Sequence, residues 1–160
     1  MRTAADAHAV LAAGAARAIV GTMAVRDPEG CAELCAAQPG RIAVGLDARD
    51  GRVRVSGWLE TGGLDVLEVA PRVAAMGAAC IIYTDIGRDG TEQGVDLAGT
   101  RAVAQVAGIP VIASGGIGTL DDVRAVATLA ADGVAGVIVG RALYTGVVEL
   151  PAALAAVRER

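Results

Sequence analysis

Residues 110–122 read Pro110-Val111-Ile112-Ala113-Ser114-Gly115-Gly116-Ile117-Gly118-Thr119-Leu120-Asp121-Asp122. A short β-branched run leads into a glycine-rich turn. Thr119 then precedes two acids, which suit the positive end of a helix. The same grammar returns at Gly133-Val134-Ala135-Gly136-Val137-Ile138-Val139-Gly140-Arg141, where a β-rich run ends on a glycine that opens the next turn. Working outward, the spacing predicts further strands over Ala18–Val20, Ile42–Leu46 and Cys80–Thr84, with Val111–Ala113 and Val134–Val139 as the last two. Helical periodicity falls between them, over Ala4–Ala13, Glu29–Gln38, Asp65–Met76, Leu97–Ala107, Leu120–Ala131 and Pro151–Arg158. Pro71 lies inside the third of these, which predicts a kink or a later start.

Strands alternating with helices at this spacing mean βαβ units and a parallel sheet. A doubly wound sheet usually carries G-x-G-x-x-G after its first strand, and no segment here fits. The glycine turns come late instead, as they do after the last strands of (β/α)₈ barrels. The expected fold is therefore α/β, a partial (β/α)₈ TIM barrel with about five parallel strands. It is expected to form a single domain over residues 1–160.

Composition agrees with this reading. Hydrophobic residues make up 54% of the 160, yet there are only two Tyr, one Trp and no Phe. Such a core of small and β-branched side chains suits parallel strands under helices. A net charge of −4 without a cationic cluster argues against a nucleic-acid partner. The longest apolar runs are too short to span a bilayer, and Arg2-Thr3-Ala4-Ala5-Asp6 opens no signal peptide, so no membrane partner and a cytoplasmic location are expected. Cys31, Cys35 and Cys80 form no CxxC pair and read as core residues.

The chain also repeats itself. Gly14–Gly21 parallels Gly133–Gly140, and Thr3, Asp6 and Val10 align with Thr119, Asp122 and Val126. Each unit reads helix, strand, glycine-led turn, as a duplicated half-barrel would. In the later copy a strand and Ser114-Gly115-Gly116 precede Ile117-Gly118 and the helix; in the earlier copy Met1-Arg2 stands where Ile117-Gly118 does, and the strand and glycine pair have no counterpart. A whole barrel needs eight strands and about 250 residues, so the three N-terminal strands are expected to lie outside this chain.

Chemistry is expected at the C-terminal strand ends. Ser114, Gly115 and Gly116, with Gly140 and Arg141, form two successive glycine turns where backbone N–H groups can meet a phosphate. The repeat adds Gly21 and Thr22, with Arg2 near them, as a second anion site. Two sites related by internal symmetry suit a ligand with a phosphate at each end. Asp47 follows a strand and could act as an acid or base there. After it, Asp50-Gly51 predicts a β-hairpin that leads to Gly57-Trp58, a loop placed to cover the site. Thr84 could orient a substrate group. Asp89-Gly90 reads equally as a turn or a contact, and His8 as a surface residue.

The strings GLDARDGRVRVSGWLETG, YTDIGRDGTEQG, PVIASGGIGTLDDVRAV and GVAGVIVGRALYTG resemble the ProFAR isomerases of histidine biosynthesis over essentially the whole chain. The related cyclase shares the RDGT and ASGG elements but lacks this hairpin with its SGW. The dual histidine and tryptophan isomerase is expected to carry Arg before Gly-Trp, where Ser56 stands here. A non-catalytic phosphate-binding half-barrel is the remaining alternative. The resemblance implies an Amadori rearrangement of a bisphosphorylated aminoaldose to an aminoketose, without metal or cofactor. It makes Asp47 the proton donor to the ring oxygen and Thr84 a substrate-positioning residue. Gly115, Gly116, Gly140 and Arg141 match one phosphate site; Arg2, Gly21 and Thr22 match part of the other. The family's proton-accepting Asp, at the end of its first strand, has no counterpart here. The chain alone is thus expected to be inactive, with its open sheet edges taking an N-terminal half-barrel partner or a second copy.

Overall fold

The computed structural model describes residues 1, 3–54, 63–91 and 94–158. In chain order the elements are α1 (Ala4–Ala12), β1 (Ala18–Val20), α2 (Thr22–Arg26), α3 (Pro28–Ala37), β2 (Ile42–Arg49), β3 (Arg52–Val53), α4 (Val66–Ala75), β4 (Cys80–Asp85), α5 (Leu97–Ala107), β5 (Val111–Ser114), α6 (Leu120–Ala127), a single 3₁₀ turn (Ala130–Asp132), β6 (Val134–Val137), α7 (Arg141–Tyr144) and α8 (Leu150–Arg158).

Five strands run parallel in the order β1-β2-β4-β5-β6; short β3 folds back antiparallel on the end of β2. Parallel crossovers are right-handed, so an order that never reverses sends every connecting helix to one face. The buried side chains obey this rule. Val20, Ile42, Val44, Leu46, Ile81, Tyr83, Val111 and Ala113 join helix residues such as Leu34, Val73, Val103 and Val126 in one core. The opposite face holds a small cluster of Ala43, Cys80 and Ile82, with Ile112 against it. Helices outside and a small apolar cluster inside describe an arc of a (β/α)₈ barrel. Ile19 on edge strand β1, and Ile138 just past the end of β6, stay 46% and 41% exposed.

The sequence repeat is also a structural repeat. Thr3 and Thr119 each cap a helix through a reciprocal box: the Asp6 and Asp122 N–H groups donate to the threonine hydroxyls at 3.2 Å, and the carboxylates accept from the threonine N–H groups. Gly21 and Gly140 then cap the short helices α2 and α7 without any side-chain bond.

Several boundaries differ from expectation for local reasons. Strand β2 runs on to Arg49, because Asp50 and Gly51 (φ 52° and 71°) turn the chain into β3 and extend the ladder. The expected hairpin is therefore present as far as Arg54. Strand β6 stops at Val137; its register slips opposite Val111/Ile112, so that Gly136 rather than Ala135 pairs with Ile112. Helix α6 stops at Ala127, since the Thr128 hydroxyl donates to the Ala125 carbonyl at 2.7 Å and Leu129 turns into the core. Helix α4 starts one residue late, with Asp65 as its cap, and passes through Pro71. Its three buried valines, Val66, Val69 and Val73, at about 1.5–3 kcal/mol each, outweigh the ~3 kcal/mol of a mid-helix proline. Helices α2 and α7 are too short for periodicity to reveal.

The three cysteines are buried and free. Burial pushes the Cys31 thiol up to about 12, with the neighbouring Cys35 adding to the effect, and raises Cys35 and Cys80 as well. Among the described residues, no helix is long and apolar enough to cross a membrane, and no cluster of His, Cys, Asp or Glu could hold a metal ion. His8 lies on the exposed surface of α1.

Candidate active site

Strand register assembles the site. Asp47 of β2 pairs with Thr84 of β4, and Thr84 pairs with Ser114 of β5. Alternation puts all three on the inner face: Asp47 shares it with Ala43, Thr84 with Ile82, and Ser114 with Ile112. A carboxylate and two hydroxyls thus form one row near the C-terminal strand ends, each half-buried. With strands about 4.8 Å apart, Asp47 stands ~10 Å from Ser114.

The row ends at a cavity of about 80 Å³. That volume admits one small oxyanion group and is well below the roughly 300–1,000 Å³ of drug-sized sites. Ser114, Gly115, Gly116 and Ile117 form one wall, Ile138, Gly140 and Arg141 the second, and Asp89 with Gly90 the lip. Six of the residues singled out in the sequence meet here: Asp89, Ser114, Gly115, Gly116, Gly140 and Arg141.

The glycines are required for different reasons. Gly115 and Gly116 have φ of 89° and 79°, and a Cβ on Gly115 would stand 2.5 Å from the Asp85 carbonyl oxygen. On Gly116 it would strike the Gly94 carbonyl. Close packing against the 85–94 loop therefore demands both. A Cβ on Gly140 would meet nothing within 4 Å; here the bare backbone keeps the cavity open. The start of α6 offers a ligand little, because Asp122 already accepts the Gly118 and Thr119 N–H groups at 3.0 and 2.8 Å. The backbone that faces the cavity is that of the Gly115–Ile117 turn and the start of α7.

Gly21 and Thr22 sit at the far edge of the sheet, where β1 pairs only with β2 among the described strands. They do not line this cavity; four strand spacings, ~19 Å along the arc, separate the two edges. A Cβ on Gly21 would make an ordinary 3.5 Å contact with the Gly45 carbonyl. Arg2 and Trp58 lie outside the described residues.

Sequence reasoning passed over Asp85, Arg88 and Gly94. The Asp85 carboxylate accepts the Gly87 N–H at 2.9 Å and pairs with the Arg88 guanidinium at 3.2 Å. Asp two residues before a glycine, and opposite charges three apart, were available signals. Tyr83, adjacent to Thr84, is structural: its hydroxyl donates to Asp96 at 3.2 Å, and burial beside that carboxylate raises its pKa. Asp96 in turn caps α5 by accepting the Gly99 N–H.

Fold and site together define a barrel-type α/β protein with a cavity at the C-terminal ends of its strands. The chain belongs to the histidine biosynthesis protein family, which matches residues 1–149. It is 48% identical over 160 residues to the 1-(5-phosphoribosyl)-5-((5-phosphoribosylamino)methylideneamino) imidazole-4-carboxamide isomerase of Solidesulfovibrio magneticus, covering 100% of this chain and 65% of that enzyme. The isomerase of the same name from Synechococcus elongatus is 52% identical over 148 residues, 92% of this chain and 58% of the relative. That from Hydrogenovibrio crunogenus is 51% identical over 139 residues, 87% and 56%. The chain thus spans about three-fifths of the length of these relatives.

Proposed function

We propose that this chain carries the proton donor and one phosphate cradle of the ProFAR isomerase reaction, the Amadori rearrangement of a bisphosphorylated aminoaldose to an aminoketose. The observation that carries the reading is the row Asp47–Thr84–Ser114, which runs from a carboxylate directly into the glycine-walled cavity. The rearrangement needs an acid and a base. Protonation of the sugar ring oxygen lets the C1–O bond break to an iminium; loss of the C2 proton then gives an enaminol, which tautomerises to the ketose. Asp47 is assigned the first proton and Thr84 the orientation of the sugar. Ser114, Gly115, Gly116, Gly140 and Arg141 are assigned one phosphate, with Asp89 at its lip; Gly21 and Thr22, with Arg2, are assigned part of the other. Trp58 is assigned a substrate contact. No metal or cofactor enters, and amino-acid biosynthesis puts the protein in the cytoplasm.

The base comes from a further segment. A half-barrel docking beside β1 and β6 would pair their outer edges and cover Ile19 and Ile138, together with the exposed Leu150, Leu154 and Val157 on α8. This occupant is favoured over a second copy because it alone also supplies the missing base.

The experiment joins this chain to the part of the Solidesulfovibrio isomerase that it does not cover. Turnover is expected in the joined protein and not in the chain alone. Asp47→Asn in the joined protein should lower kcat by about 10²–10⁴-fold while substrate still binds. Undiminished turnover would remove Asp47 from the mechanism.

A further inference from the structure

Arg88 does not line the cavity, yet it holds together the loop that forms the lip. Its Nε pairs with Asp85 Oδ2 at 3.2 Å, and its Nη1 donates to the Gly94 carbonyl at 3.3 Å. One guanidinium therefore bridges both ends of the 85–94 segment. The main chain reinforces this, with Arg88 N–H donating to the Asp85 carbonyl at 3.1 Å and the Thr91 N–H and hydroxyl donating to the Arg88 carbonyl at 3.0 and 2.6 Å. The bridged ends are the groups on which the cavity wall rests: the Asp85 carbonyl lies against Gly115, and the Gly94 carbonyl and the Arg88 Cβ lie against Gly116. Asp89 and Gly90, the next residues along, form the lip itself.

The geometry points to Arg88 as a positioning residue for the anion cradle: through Asp85 and Gly94 it sets the Ser114–Gly116 wall and the Asp89–Gly90 lip, without touching the phosphate. A guanidinium spent on a carboxylate and a carbonyl has its fork directed into the loop rather than the cavity. This inference rests on the phosphate reading of the cavity and names the residue that shapes it.

Inorganic phosphate titrated into the chain, followed by amide NMR shifts at Gly115, Gly116, Gly140 and Arg141, tests both levels. If the wild-type chain shows no shift at these amides, the phosphate reading falls and this inference with it. If it binds, Arg88→Ala should weaken phosphate by about tenfold and Arg88→Lys by less, since hydrogen bonds to charged groups are worth that order. Asp85→Asn should weaken it similarly, with the double variant no worse than either single, because coupled residues fail to add. The salt dependence of phosphate affinity should be unchanged in Arg88→Ala, whereas loss of a direct cation contact would flatten it. Unaltered affinity in Arg88→Ala, or additive losses in the double variant with a flattened salt dependence, would overturn the positioning role while leaving the phosphate reading standing. Amide exchange at Gly115 and Gly116 should accelerate in Arg88→Ala even without phosphate; unaltered exchange would also count against it.

Discussion

The two edges of the sheet start from the same local design and end differently. At one, a Thr3–Asp6 capping box, β1 and Gly21 lead into α2; at the other, a Thr119–Asp122 box, β6 and Gly140 lead into α7. The cavity of about 80 Å³ is lined by the second glycine and not by the first. The difference is the neighbour. Beside β6 stands β5 with its glycine pair, backed by the 85–94 loop; beside β1 stands β2, whose Gly45 continues in the strand. At this cavity the glycine-led helix start forms one wall, and the adjacent strand end supplies the other.

The sharpest way to break the comparison is to put the same methyl group at both places. Gly116→Ala forces a left-handed backbone onto a side chain and drives a Cβ into the Gly94 carbonyl. It should cost on the order of 3 kcal/mol in urea unfolding. Gly21→Ala meets only an ordinary contact at 3.5 Å and should cost less than about 1 kcal/mol. Equal losses would mean that the two edges do not differ as described.

A smaller effect separates the two capping boxes. Thr3→Ala and Thr119→Ala should each lose about 1 kcal/mol. Only Thr119→Ala should also weaken phosphate binding, because its box pins Gly118 and the turn that walls the cavity. Titration of both variants with inorganic phosphate checks this.

The smallest expected effect is alkaline. Cys31 is held protonated up to about 12, against 9.0 ordinarily. Its raised folded value contributes stability that is complete below pH 9 and declines as pH rises from 9 to 12, because the unfolded chain releases the proton first. Cys31 and Cys35 both lie on α3, in the β1 half, so amide exchange in that pH range should loosen α3 before α6. Cys31→Ala should flatten the slope of unfolding free energy over the same window.

Much of this was legible in the residues. Short β-branched runs and helical patterns located the five parallel strands and most helices, and Asp50-Gly51 announced its hairpin. The repeat located both capped glycines. Other features were not legible for physical reasons. Helices of four or five residues carry too little periodicity. The slipped register of β6 is set by its pairing with β5, and the length of β2 by its pairing with β3 and β4. The need for glycine at 115 and 116 arises from carbonyls at 85 and 94, which are remote in the chain and adjacent only after folding.

By itself the sequence determined whatever depends on a few consecutive residues: which segments extend or coil, where helices are capped, and where Asp50-Gly51 turns the chain. Tertiary structure alone decided that Asp47, Thr84 and Ser114 stand in one row, and that Gly140 rather than Gly21 lines the cavity at its end. Register and neighbour identity are properties of strands brought together from distant parts of the chain. Local preferences are nearly indifferent among such pairings, and only the burial of one whole helix-covered face selects the one that forms.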